Sequence, residues 1–195
     1  AYAGVTSYQS LLPGMPEGIS MSGQVTALPD MPYINEDKSY DWISVANGAL
    51  STVIGGLFPE TAADTQKAIT ALRDSEAKAR ANALDEQVVE DSLAYGDEVA
   101  AVILEWVAVD NFAETRTMTW DIPTGDPSYW VTTSQGMKAV EPFWGQIRPF
   151  ALYSADACAV QPNLAFEETR GSSFYAQALE VKTTGDNLTN EQKDI

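Results

Sequence analysis

With 195 residues, 45% of them hydrophobic and five tryptophans among them, the chain is long enough to bury a core, and its 28 acidic against 11 basic residues, a formal charge of −17, repel nucleic-acid phosphates and anionic lipid, so neither is expected as a partner. Histidine is absent altogether, which removes any Ser-His-Asp or Cys-His arrangement, any imidazole metal ligand and the commonest general base. The single cysteine, Cys158, leaves no intrachain disulfide and no Cys-based metal cluster.

Residues 1–12 read as the last turns of a helix, with Tyr2, Val5, Tyr8, Leu11 and Leu12 on one face and Pro13-Gly14 as the stop. No cap precedes this helix, so the chain is expected to have lost its true beginning. Between Pro13 and Ser39, four prolines and three glycines alternate with Met15, Met21, Leu28 and Met31. That mixture predicts an ordered excursion pinned by apolar anchors, with Tyr33 and Ile34 also available to bury.

A helix follows over 40–57, where Trp42, Val45, Ala46, Ala49, Leu50, Val53, Ile54 and Leu57 keep helical spacing until Gly55-Gly56 and Pro59 end it. Its small residues Ala46, Gly48 and Ala49 predict a close helix contact. The next helix, over 62–83, takes Thr61 as its N-cap with Asp64 three residues on. Ile69 and Leu72 are its expected buried stripe, with Lys67, Arg73, Glu76, Lys78 and Arg80 elsewhere. A third helix over 86–109 carries the amphipathic series Val99, Val102, Ile103 and Trp106, and Gly96 within it predicts a close helix crossing. Asp97, Glu98, Glu105 and Asp110 are candidate acid–base carboxylates whose expected place is a solvated outer face.

From 111 to 171 periodicity is lost, and recurrent Pro and Gly favour an irregular arm that wraps the helices over a set of short strands. Within it, residues 141–152 read EPFWGQIRPFAL, rigid at Pro142 and Pro149 and dense in aromatics. A guanidinium among apolar neighbours needs a fixed anionic or carbonyl partner, so Trp144, Arg148, Pro149 and Phe150 are expected to form a structural clamp. A helix returns over 172–183 with Phe174, Tyr175, Ala178 and Val181 on one face. The closing NLTNEQKDI announces another, with Thr189 and Gln192 as a capping box, and reads as polypeptide that continues in a parent protein. There is no GxGxxG, GxxxxGK, HExxH or CxxC motif, no internal repeat and no apolar stretch near 18 residues.

The order of AYAGVTSYQSLLPGMP, SYDWISVANGAL, AYGDEVAAVILEW, PSYWVTT, EPFWGQIRPFAL, FYAQALEV and NLTNEQKDI resembles the N-terminal half of bacterial vanadium-dependent haloperoxidase-like proteins, in the superfamily of type 2 phosphatidic acid phosphatases and vanadium haloperoxidases. The resemblance implies an all-α fold, a helical bundle with long Pro- and aromatic-rich connections, with residues 1–195 as the N-terminal helical part of a larger domain. The family's catalytic motifs are a lysine followed after six residues by Arg-Pro, then a Ser-Gly-His stretch, then an arginine leading to a final histidine. None maps here: nine residues instead of six separate Lys138 from the Arg148-Pro149 pair, and no histidine follows. No catalytic, cofactor-binding or metal-binding residue is therefore assigned to this chain.

The implied function is the structural N-terminal part of an enzyme acting at a vanadate or phosphate site, by oxidising halide with peroxide or by hydrolysing phosphate monoesters. Vanadate would be a cofactor of the complete protein, held by residues outside this chain. The partners so implied are the C-terminal catalytic half, in missing sequence or another chain, and a second copy in a homo-oligomer. The same resemblance favours a periplasmic or secreted location. The competing reading is a non-enzymatic helical binding or scaffold domain, attractive because none of the family's catalytic motifs is present and histidine is missing altogether.

Overall fold

Two long helices carry the apolar periodicity and pack on each other. In the computed structural model, which describes residues 1–194, α1 spans Tyr2–Leu11, α2 Trp42–Leu57, α3 Ala63–Ala81 and α4 Glu86–Ala108. The short α5 (Phe112–Thr115), α6 (Ser173–Asp186) and α7 (Asn190–Lys193) follow, and no strand occurs among the described residues beyond an isolated bridge between Ser22 and Val25. The chain divides into two units, residues 1–118 with 141–157 and residues 119–140 with 158–195.

In the first unit α2 starts where Asp41 accepts the backbone N–H of Ser44 at 3.0 Å, and α4 where Asp85 accepts that of Gln87 at 2.9 Å. Val45, Gly48, Ala49 and Val53 of α2 are buried, as are Val89, Ser92, Tyr95, Gly96, Val99, Ala100, Ile103 and Trp106 of α4. The spacing of three and four puts each set on one face. The faces meet backbone to backbone: a Cβ on Gly96 would lie 2.3 Å from the Val45 carbonyl oxygen, and one on Gly48 would lie 2.5 Å from that of Leu93. The predicted crossing is thus present, with Ala46 only half-buried beside it.

α1 adds Val5 to a core with Leu28, Val53, Ala100, Ile103 and Trp106, but its buried face is otherwise polar. Thr6, Gln9 and Ser10 are buried, whereas Tyr8, Leu11 and Leu12 of the expected stripe stay half-exposed. Gln9 explains the inversion. Its Oε1 accepts the Met21 N–H at 3.0 Å and its Nε2 donates to Ser20 Oγ at 3.2 Å, so a buried amide holds the excursion that follows α1. Of the excursion's expected anchors, Leu28 is buried and Met21 and Met31 pack against the core, while Met15 and Tyr33 face solvent, Tyr33 at 93% exposure.

α3 corrects the sequence reading most. Thr61 does not cap it: the helix begins at Ala63 after Ala62, and the Thr61 hydroxyl donates to the Phe58 carbonyl at 3.1 Å. Leu72 is 63% exposed, and the face turned inward carries Gln66, Ile69, Arg73, Ala77 and Arg80. Arg73 makes two bonds of 2.6 Å to the Asp97 carboxylate of α4, where Thr52 also donates. Two turns on, Arg80 reaches Asp41 with Nη2 at 2.6 Å and Nε at 3.0 Å. Two planar forks on carboxylates therefore dock a helix that has almost no apolar stripe. Asp97, expected on a solvated face, is instead one of the two anchors.

The expected irregular arm is two things. Residues 141–157, with the 3₁₀ turn Trp144–Gln146, belong to the first unit, while 119–140 and 158–171 belong to the second. In the second unit Ser172 caps α6 by accepting the Tyr175 N–H at 3.1 Å, and α6 runs to Asp186, beyond the expected end at 183. The capping box of Thr189 and Gln192 opens α7 as its sequence predicts.

Three substitutions in the first unit test these contacts, Gly96→Ala by urea unfolding and two at Asp41 by thermal unfolding. Gly96→Ala gains about 1 kcal/mol of helix propensity but drives a methyl into the α2 backbone, so the net effect is a loss of about 1–3 kcal/mol. Burial alone would raise the Asp41 carboxyl, yet the bonds from Arg80 and Ser44 outweigh it and hold the group below its ordinary 3.8. Stability from a carboxyl so depressed is present above its unfolded value and lost as pH falls through the folded one. Asp41→Asn, which keeps the cap and removes the charge, should therefore lower the melting temperature at neutral pH and cease to matter in strong acid. Asp41→Ala should cost about 1 kcal/mol more, the worth of the cap.

Candidate functional site

Of the residues singled out as a clamp, Arg148, Pro149 and Phe150 lie within the first unit at the end of α4. There the last carbonyls of the helix have no intrahelical partner. Arg148 supplies one: its Nη2 donates to the Trp106 carbonyl at 2.8 Å and its Nη1 to that of Val109 at 3.4 Å, while the guanidinium lies 4.3 Å from the centre of the Trp106 ring. The Arg148 N–H also donates to the Asp110 carbonyl at 2.8 Å. Pro149 leads directly to Phe150, whose ring lies 4.9 Å from Tyr2 and 5.4 Å from Trp106. The Phe150 carbonyl accepts the Thr26 N–H at 2.6 Å, and the Thr26 carbonyl accepts the Trp106 indole N–H at 3.2 Å. Three segments distant in sequence, at Tyr2, at Thr26 and at residues 148–150, thus converge on one indole of α4. Trp144 stays out of this cluster, 63% exposed and edge-on to Phe112 at 6.5 Å.

Asp110, expected to be solvated, is 5% exposed beneath the same cluster. Its carboxylate accepts the Tyr2 hydroxyl on one oxygen and the Phe112 N–H at 2.8 Å on the other. Burial first, then the bond to and charge of Asp110, push the Tyr2 phenol up to about 12, with Arg148 acting in the opposite sense. Asn111 takes the left-handed conformation, φ 74°, that turns the chain after α4. Tyr2 and Asp110 lie 108 positions apart, and nothing in the local sequence pairs them. Asp41 did carry a signal, an Asp three residues before Ser44 at the head of an apolar run, which marks an N-cap.

An oxyanion site needs several cations or N–H donors aimed at one point. Here the guanidinium of Arg148 is occupied by carbonyls, those of Arg73 and Arg80 by Asp97 and Asp41, and Lys38 by Asp91 at 2.8 Å. The open groove of about 580 Å³ beside Arg148 is lined by Ser154 and Asp156, and a carboxylate there opposes an anion. No histidine exists to ligate vanadium. The residues present therefore do not fit vanadate or phosphate, and no chemical step is derived through either. A groove of about 350 Å³ between Gln9, Ser20, Ser22, Asp30, Met31 and Tyr95 sets no hydroxyl on a base: Ser22 donates to the Pro29 carbonyl at 3.0 Å and Ser20 Oγ accepts from Gln9 at 3.2 Å.

What the arrangement can do is fasten. Arg148→Lys should lower the stability of the chain by about 1–2 kcal/mol, because lysine cannot span two carbonyls and cover an indole at once. Thermal unfolding followed by tryptophan fluorescence checks this, and an unchanged midpoint would remove the clamp role.

No family model matches the chain, and no curated protein matches it. A solved structure does: a crystal structure described as that of the first bacterial vanadium-dependent iodoperoxidase matches 100% of this chain at 29% sequence identity, with a TM-score of 0.81. The chain covers 45% of that protein. A match along the whole chain, in fold and with this identity, makes the chain vanadium-haloperoxidase-like over less than half the length of the structure it resembles.

Proposed function

We propose that this chain is the structural helical portion of a vanadium-dependent haloperoxidase-like enzyme, and that polypeptide outside it supplies the oxyanion ligands and the acid–base group. The observation that supports this is a pairing: a whole-chain match to an iodoperoxidase, in a sequence with no histidine and with its half-buried arginines Arg73, Arg80 and Arg148 spent on structural bonds. Vanadate belongs in this reading to the complete protein, which would oxidise iodide or another halide with peroxide. In it the first unit is a packing wall whose charged side chains fasten helices. A periplasmic or secreted location is carried by the family resemblance. The scaffold reading has the same missing residues in its favour, but the match to a peroxidase gives the enzyme reading an observation of its own.

Iodide oxidation tests the assignment of roles. The 195-residue chain, given orthovanadate, iodide and hydrogen peroxide, should form triiodide no faster than the protein-free blank. The complete natural gene product should form it in a vanadate-dependent manner. Turnover by the 195-residue chain alone would overturn the division of roles. A complete protein that hydrolyses phosphate monoesters and leaves iodide untouched would move the reading to the acid-phosphatase-like branch.

A further inference from the structure

The apolar core of the first unit does not hold α3. None of its 19 residues is buried, and neither apolar cluster includes one of them, whereas α1, α2 and α4 all contribute. What α3 rests on is polar. Arg73 Nη1 donates to Ser51 Oγ and Thr52 Oγ1 at 3.1 Å each as well as to Asp97, and Asn47 Nδ2 donates to the Arg73 carbonyl at 2.9 Å. The fork of Arg80 on Asp41 is the second anchor. The Arg73 and Arg80 side chains are 24% and 31% exposed, so dissolved ions reach both pairs.

Charge draws α3 onto this surface. Within it Lys67, Arg73, Lys78 and Arg80 outnumber Asp64, Asp74 and Glu76, four against three, a net +1 in a chain whose formal charge is −17. The helix beside it, α4, carries Glu86, Glu90, Asp91, Asp97, Glu98 and Glu105 and no basic residue. Attraction between exposed charges fades with ionic strength, whereas the apolar burial that joins α1, α2 and α4 has no charge to screen. The connections on either side of α3, residues 58–62 and 82–85, are exposed throughout. The bonds of Gln66 at its start go to Phe58 and Thr61 within the first of these connections, so they travel with the helix.

We propose that α3 is a charge-latched flap: it opens as one piece about residues 58–62 and 82–85 while α1, α2 and α4 stay packed, and ionic strength sets how often it opens. The Arg73–Asp97 and Arg80–Asp41 forks are the latch. Opening bares the polar side of α2 at Asn47, Ser51 and Thr52, together with the carboxylates of Asp41 and Asp97. Six of the 19 residues of α3 are alanine, Asp64 stands in its first turn and Lys78 and Arg80 in its last, so the segment has the intrinsic helicity to leave and return as a unit. Away from α2 and α4 that helicity is only partial in water, and its amides exchange from the open state. The flap belongs to the first unit alone and stands whatever chemistry the chain serves.

Hydrogen exchange of the 195-residue chain, read by mass spectrometry near neutral pH, tests this. In dilute buffer the amides of Ala63–Ala81 should be less protected than those of α2 and α4 and more protected than unstructured peptide. Sodium chloride at about 1 M, where the screening length falls to about 3 Å, should speed exchange of α3 by about 10-fold and leave α2 and α4 as they were. Arg73→Gln combined with Arg80→Gln should reach the faster α3 rate in dilute buffer and lose the response to salt. Exchange of α3 in step with α2 and α4 in both buffers would overturn the proposal, as would an α3 rate that salt leaves unchanged or slows. A double variant in which α2 and α4 lose protection together with α3 would overturn it too, because the flap would then be inseparable from the core. The salt comparison needs no substitution and decides the matter on the unaltered chain.

Discussion

The approach of α2 and α4 at Gly48 and Gly96 is the contact on which the first unit depends. Two helix backbones can come this near only where no Cβ intervenes, and here each glycine faces backbone atoms of the other helix at a separation that alanine could not keep. The near contact lets Val45, Ala49, Val53, Val99, Ala100 and Ile103 close the space on either side without a void that larger side chains would have to fill. It also fixes where the ends of both helices lie. The backbone N–H of Asp41 donates to Ser92 Oγ at 2.8 Å, so the start of α2 is tied to the middle of α4, and Asp97 stands beside Thr52.

From that pair of helices the charges acquire their positions. An excess of acidic residues is usually a property of a solvated surface, and most of the carboxylates here are exposed. Three are used differently. Asp41 caps α2 and receives Arg80, Asp97 receives Arg73, and Asp110 accepts from Tyr2 beneath the Arg148 clasp. Each is a carboxylate with several donors already in place, which is how a partly buried charge is retained without a large desolvation cost. The guanidinium groups serve as fasteners for the same reason that they would make good oxyanion ligands: a planar fork of donors matches a pair of oxygens. Once committed to carboxylates and helix carbonyls, they are not free to bind an anion.

That commitment shapes the functional reading. In a chain similar along its whole length to a vanadium iodoperoxidase, with no histidine and with Arg73, Arg80 and Arg148 engaged, the groups that could hold an oxyanion hold helices instead. The two units differ in the same respect. The first closes its own core around Trp106 and Val53, whereas no described residue of the second is buried and its Val131, Val140, Val160 and Val181 are at least 66% exposed.

The sequence by itself determined the helices with strong periodicity, the close crossing at Gly96, the capping box at Thr189 and the exclusion of imidazole chemistry. These follow from local rules: spacing, side-chain size next to the backbone, and the presence or absence of a functional group. It also pointed to Arg148, since a guanidinium among prolines and aromatics must find a partner. Only the tertiary structure decided which partner: the carbonyls of Trp106 and Val109, about forty positions away. The same holds for α3, where hydrophobicity alone turned Leu72 inward. The observed face turns on Arg73 and Arg80, because carboxylates at Asp97 and Asp41, on two other helices, outweigh a stripe of one isoleucine. Helical periodicity is a property of a few neighbouring residues, whereas the burial of a charge depends on what distant parts of the chain bring to meet it.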